Sequence, residues 1–135
     1  MSLQDTEAAS AEVAKTANRV SLKTIEDAIA EAYFFNLRDA VVGAGSQTPE
    51  PSDRLKTLTM CVLVFRNGFI QIGYSAPADP ENFNADVGRK FAREHAIREA
   101  WGKFGFALCE QLADDAHKTL SPSIFETAAA ARAVV

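Results

Sequence analysis

Seven side chains carry the chemistry this chain can do with an anion: Arg66, Phe69, Asn82, Phe83, Arg89, Arg93 and Arg98. A guanidinium grips phosphate oxygens with paired donors. An aromatic ring offers a nucleobase a face to stack on. An asparagine amide both donates and accepts along a sugar or base edge. The first turn of a helix starting just after Phe83 adds free N–H groups and partial positive charge, and Lys90 sits among the arginines. Together these groups suit a small nucleotide-like anion. The competing reading is that arginines on a helix are solvated or paired with nearby carboxylates, and that Phe69 and Phe83 are core.

Other chemistries lack their residues. The sequence has no CxxC, HExxH, GxSxG, GxxxxGK[ST] or GxGxxG. His95 and His117 are the two histidines, and no spacing supplies the three or four ligands of a zinc site. "GAGSQT" at 43–48 resembles a phosphate loop, but no strand precedes it and no helix follows directly. Carboxylates are scattered over helix surfaces. Glu94 with Arg98, and Glu99 with Lys103, are i,i+4 pairs that support a helix, and no two carboxylates stand out as an acid–base couple. The expectation is a binding protein with no catalytic residue, metal or cofactor.

The elements that must position the seven residues are an antiparallel hairpin and about three helices, an α+β domain. "SLKTIEDAIAEAYFFNLRDAVV", residues 21–42, reads as one amphipathic helix with Leu22, Ile25, Ile29, Tyr33, Leu37 and Val41 on one face. Gly43 and Gly45 end it, and Pro49 and Pro51 make 43–54 a loop. "LTMCVLVFRNGFIQIGYS" is two β-rich runs around Asn67-Gly68, the preferred pair for a two-residue type I′ turn. That turn pairs Arg66 with Phe69, Phe65 with Ile70 and Leu63 with Ile72. One face then carries Cys61, Leu63, Phe65, Ile70, Ile72 and Tyr74 as core; the other, with Val62, Val64, Arg66, Phe69, Gln71 and Ser75, is too apolar for open solvent and reads as a pocket wall or subunit contact.

A second helix starts near Asn82, Asn84 or Asp86. Val87, Phe91, Ile97 and Trp101 read as its core face, while Ala92, Ala96 and Ala100 form a strip that admits a second subunit or a flat ligand, with Arg89 and Arg93 beside it. Gly102 and Gly105 separate it from a third helix at about 106–119, with Phe106, Leu108 and Leu112 inward. A two-stranded hairpin alone is marginal in water, so a partner subunit completing the core is expected.

The whole-chain totals agree. The 135 residues suit one domain, 21–119, between a flexible N-terminal tail, 1–20, and a C-terminal tail, 120–135. A net charge of −4 disfavours a surface that grips nucleic acid but not a local basic pocket. No apolar run is long enough to span a membrane and no signal peptide opens the chain, which points to the cytoplasm. Cys61 and Cys109 read as two buried, reduced thiols.

Taken together, Asn67-Gly68-Phe69, Pro80-Glu81-Asn82-Phe83, Gly88-Arg89-Lys90, Ala92, Ala96, Trp101 and Gly105-Phe106 resemble the pattern of a family of small proteins of tailed phages and prophages, across about residues 19–112. The pattern is also similar to phage anti-defence sponge proteins of the Thoeris-inhibiting type. That resemblance implies capture of a cyclic ADP-ribose isomer, or of the cyclic di- and trinucleotides of CBASS defence, held intact at subunit interfaces of a dimer or a hexamer built as a trimer of dimers, in the cytoplasm of the infected host. In that reading Arg89, Arg93 and either Arg66 or Arg98 hold phosphates, Phe69 or Phe83 stacks on a base, and Asn82 reads a sugar or base edge. This chain departs from those proteins at Tyr74-Ser75-Ala76-Pro77 and in its long N-terminal segment. The alternatives are a phage interaction protein that modulates a host protein partner through the hairpin's second face, and a nucleic-acid-binding accessory factor.

Overall fold

The computed structural model describes residues 1–45 and 50–117; the expected C-terminal tail, 120–135, lies outside them. Within the described residues the chain is α+β, as expected. Its helices are α1 (Leu3–Val13), α2 (Leu22–Ala28), α3 (Leu37–Gly43) and α4 (Ala85–His117). Its strands β1 (Ile29–Asn36), β2 (Thr59–Phe65) and β3 (Ile70–Ser75) form one antiparallel sheet in the order β1-β2-β3.

The first strand corrects the expected helix over 21–42. The helical spacing is real for α2, where Leu22 and Ile25 are buried and the Ser21 hydroxyl caps the Thr24 N–H at 3.1 Å. From Ile29 the chain extends and pairs with β2, from Ile29 opposite Phe65 to Asn36 opposite Thr59, with a register shift between Ile29 and Glu31. Ile, Tyr and Phe at 29 and 33–35 favour the pleated conformation. The pairing also gives β2 a neighbour on both edges, so its backbone groups are satisfied. Asn36 ends the strand and starts α3, its side chain accepting from the Asp39 N–H at 2.8 Å.

The hairpin forms with a different loop. Phe65 N–H donates to the Phe69 carbonyl at 2.9 Å, and Gly68 N–H to the Phe65 carbonyl at 2.8 Å. The loop is therefore three residues, Arg66–Gly68, and Gly68 takes the positive φ of 89° that such a loop requires. Leu63 pairs with Gln71 and Val62 with Ile72, one residue off the expected register. A one-residue slip moves every β3 side chain to the other face. The inner face therefore carries Thr59, Cys61, Leu63 and Phe65 of β2, all buried, opposite Gln71, Gly73 and Ser75 of β3 and Phe69 just before it. Ile70, Ile72 and Tyr74 lie on the outer face instead of in the core.

The outer face is a grid of three rows set by the strand register: Glu31–Val64–Ile70, Tyr33–Val62–Ile72 and Phe35–Met60–Tyr74. Glu31 is its one charged member. Its carboxylate accepts a hydrogen bond that holds the Tyr33 hydroxyl above its ordinary pKa.

Helix α4 covers the inner face, and its expected core face holds in part: Ile97 is buried and Trp101 packs on the core, but the alanine strip expected to face a second subunit or a flat ligand is buried as well. Gly88, Ala92, Ala96, Ile97 and Ala100 are buried, while Val87 and Phe91 are about half exposed (45% and 51%). The alanine strip packs within the monomer because the helix comes very close to β3: a Cβ on Gly73 would lie 2.3 Å from the Ala92 carbonyl oxygen and 2.7 Å from the Ala96 Cβ. Side chains larger than alanine would hold the two backbones apart. Trp101 does pack as expected, its indole N–H donating to the Val20 carbonyl at 3.0 Å. The expected break at Gly102 and Gly105 is absent. The helix runs through both, and Phe106 and Leu112, placed inward from the sequence, are exposed.

The N-terminal segment is helical over 3–13 rather than a flexible tail. Ser2 and Asp5 form a reciprocal capping box, and Leu3 is buried in the core with Ile25 and Ile97. Glu7 ties α1 to α2: its carboxylate accepts the Leu22 N–H at 2.7 Å and pairs with Arg19 at 2.7 Å.

Candidate functional site

The seven candidate residues do not form one constellation in the monomer. Arg66 and Phe69 lie at the hairpin tip. Asn82, Phe83 and Arg89 lie at the start of α4, beside the other end of β3. The six residue steps from Phe69 to Ser75 correspond to about 20 Å of strand.

Arg93 and Arg98 are occupied within the chain. Arg93 pairs with Glu26 of α2 at 2.9 Å. Arg98 donates to the Met1 carbonyl and lies 3.9 Å from Glu94. Arg89 pairs with Asp86 one turn away. These are the carboxylate partners that the competing reading expects, and each pair is partly exposed, so each contributes little stability.

At the start of α4 two small clefts meet at Phe83. One, of about 210 Å³, has Asn82, Pro77, Val87 and Phe91 among its lining residues. The other, of about 160 Å³, is bounded by Phe34, Phe35, Asn36, Thr59, Ala85 and Arg89. Asn84 uses its side chain to cap the helix, accepting the Val87 N–H at 3.0 Å.

The hairpin tip holds a larger cleft of about 350 Å³, lined by Ala28, Phe65, Arg66, Asn67, Phe69, Lys103, Phe104 and Ala107. Its floor is aromatic: Phe65 stacks with Phe69 at 6.4 Å between ring centres, and Phe104 meets Phe65 edge-on at 5.3 Å. Its rim is cationic. Arg66 is anchored by its backbone N–H to the Ala28 carbonyl and by Nε to the Asp27 carbonyl, each at 2.9 Å. Lys103 sits 5.9 Å over the Phe69 ring, and its Nζ donates to Gln71 Oε1 at 2.7 Å. A cation over a ring face is itself attractive, and the two side chains present positive charge beside a stacking surface.

Lys103, Phe65 and Phe104 are the members that sequence reasoning missed. Lys103 read as an ion-pair partner of Glu99. In the structure Glu99 lies 3.5 Å from His95 Nε2, and Lys103 reaches across to β3. No local spacing signals a contact between helix and hairpin 32 residues apart in sequence. His95 is a structural group: its Nδ1 accepts the Tyr74 N–H at 3.0 Å and its ring meets Tyr74 edge-on at 4.9 Å. Of the two thiols, Cys61 is buried, which pushes its pKa up to about 11, but Cys109 is exposed.

No group of histidines, cysteines and carboxylates among the described residues could hold a metal ion. No helix among them is long and apolar enough to cross a membrane.

Comparison with known proteins agrees with the span of the sequence pattern. The model of the phage protein (N4 Gp49/phage Sf6 gene 66) family matches residues 20–112. The chain belongs to this phage protein family. No curated protein and no solved structure matches it. The matched span of the family runs from the end of the α1–α2 connection through the sheet and most of α4, so it contains both cleft regions and leaves α1 outside.

Proposed function

We propose that this phage-family protein binds and sequesters a cyclic nucleotide immune signal without cleaving it, and that the hairpin-tip cleft is where the ligand sits. The observation that carries the reading is the pairing of cationic Arg66 and Lys103 with the Phe65–Phe69 aromatic floor in a space of small-molecule size. Phosphate would lie against the two cations and a base against Phe69, with the Asn67 amide at the rim. The lining contains no carboxylate, histidine or hydroxyl side chain to activate water, which favours retention over hydrolysis.

The test is to incubate the protein with a panel of cyclic ADP-ribose isomers and cyclic di- and trinucleotides, denature it, and analyse what is released. Depletion of one signal and its recovery intact is the expected result. An altered product would make the protein an enzyme, and no depletion of any signal would refute the reading. Arg66→Ala combined with Lys103→Ala is expected to weaken capture at least tenfold. If capture instead follows Arg89→Ala or Phe83→Ala, the ligand sits at the start of α4.

A further inference from the structure

Arg19, Arg38, Arg89, Arg93 and Arg98 each lie in an ion pair with an aspartate or a glutamate. The two cations of the hairpin-tip cleft do not: among the described residues no ion pair includes Arg66 or Lys103. Both are held by neutral oxygens instead. Arg66 Nε donates to the Asp27 carbonyl at 2.9 Å, while the Asp27 carboxylate turns to Lys23 at 2.6 Å. Lys103 Nζ donates to Gln71 Oε1 at 2.7 Å. The chain is not short of carboxylates, with 18 Asp and Glu against 14 Lys and Arg. Glu99, one turn before Lys103 on α4, lies 3.5 Å from His95 Nε2. Gln71 is fixed in its accepting orientation, because its Nε2 donates to the Ile72 carbonyl at 3.1 Å and so leaves Oε1 to meet Lys103. An amide oxygen positions an ammonium group without cancelling its charge, whereas a carboxylate of the same shape cancels it.

We infer that Gln71 sets the charge that the cleft reads. By holding Lys103 without neutralising it, Gln71 leaves two uncompensated positive charges beside the aromatic floor, and the ligand that fits is a nucleotide carrying two negative charges. The inference rests on the reading of this cleft as the ligand site, and adds to it the charge class of the ligand and the residue that selects it. No carboxylate lines the cleft to take up a cation that the ligand leaves unpaired. A ligand with a single phosphate charge would leave Arg66 or Lys103 partly desolvated and without a partner, which costs affinity. A pyrophosphate-bridged ring, or a ring closed by two phosphodiesters, supplies one charge to each. Gln71 is a positioning residue: it is not among the lining residues and acts through Lys103.

The test is equilibrium dialysis of the full chain against 3′,5′-cyclic AMP, which carries one negative charge, and against cyclic ADP-ribose, its isomers and cyclic di-AMP, which each carry two. The wild type is expected to hold at least one doubly charged probe about tenfold or more tightly than cyclic AMP. In Gln71→Glu that preference is expected to fall to within about threefold, with an unchanged circular dichroism spectrum. A contact that served stability alone would survive Gln71→Glu and leave the preference untouched. Wild-type uptake of cyclic AMP as tight as that of the doubly charged probes overturns the inference while the cleft stands as a ligand site. So does a Gln71→Glu variant that keeps the wild-type preference. Uptake of no probe at all overturns both readings. Should Gln71→Glu fail to fold, Lys103→Gln and Lys103→Arg decide: loss of the preference in the first with its retention in the second supports the inference, and any other result refutes it.

Discussion

At the residue scale, partners decide what each arginine can do. Arg93 and Arg98 are engaged by Glu26 and by Met1 and Glu94, so they hold elements together. Arg66 is held through Nε, and its two Nη groups have no partner among the described residues. Sequence spacing put Arg89 and Arg93 beside the alanine strip correctly, but spacing along one helix does not show which carboxylates arrive from α2 or from the N-terminus. Glu7 is the clearest titration-linked contact. The Arg19 guanidinium and the Leu22 N–H hold its carboxyl below the usual carboxylate range. A group with a lowered folded-state pKa stabilises the fold above its unfolded value of about 4.3, and that contribution is lost as pH falls through the folded value. Protection factors at Leu22 and through α1, corrected for the intrinsic pH dependence of exchange, should therefore fall as the pH drops below about 4.3, in advance of those of the sheet amides. In Glu7→Gln the same amides should be less protected at neutral pH and show no such step.

At the element scale, strands and helix were legible to different depths. The hairpin announced itself through β-branched runs around Asn67-Gly68. Its register did not, because Asn-Gly serves two-residue and three-residue loops alike and only the Phe65–Phe69 pairing distinguishes them. Strand β1 was hidden because "IAEAYFF" satisfies a helical face as well as a pleat, and pairing with β2 settles the matter. On α4 large apolar residues signal the core, which holds for Ile97 and Trp101 but not for Val87 and Phe91, because a close helix–sheet approach requires small residues at the contact. Gly102 and Gly105 read as breakers, yet both are helical, and a Cβ at either would meet nothing within 4 Å. Glycine in a helix interior costs about 1 kcal/mol relative to alanine. Gly102→Ala and Gly105→Ala should each raise the urea midpoint by an amount equivalent to about 0.5–1 kcal/mol.

At the scale of the whole molecule, the sheet has a covered side and an open side, and the candidate chemistry lies along its edges. The sheet is not the lone hairpin expected, because β1 from the same chain pairs with β2; a partner subunit over the open face is the proposed source of further support. If two copies share that face, folding and association are linked, and the melting temperature must rise with protein concentration. A thermal scan over a hundredfold range should show this dependence for the wild type and lose it in Ile72→Lys. Residues 1–13 lie outside the family match, yet Leu3 sits in the core, so α1 is part of the folded unit.

The contact of Gly73 with Ala92 and Ala96 also bears on inheritance. A side chain at 73 would have to occupy space already taken by helix backbone, which cannot move aside as a flexible side chain can. An enlargement at any one of these buried positions meets packed neighbours that a change elsewhere would have to relieve. Positions 73, 92 and 96 are therefore constrained together, whereas Val87 and Phe91 are about half exposed. In a library of variants, positions 73, 92 and 96 would form the narrow point through which every folded sequence passes.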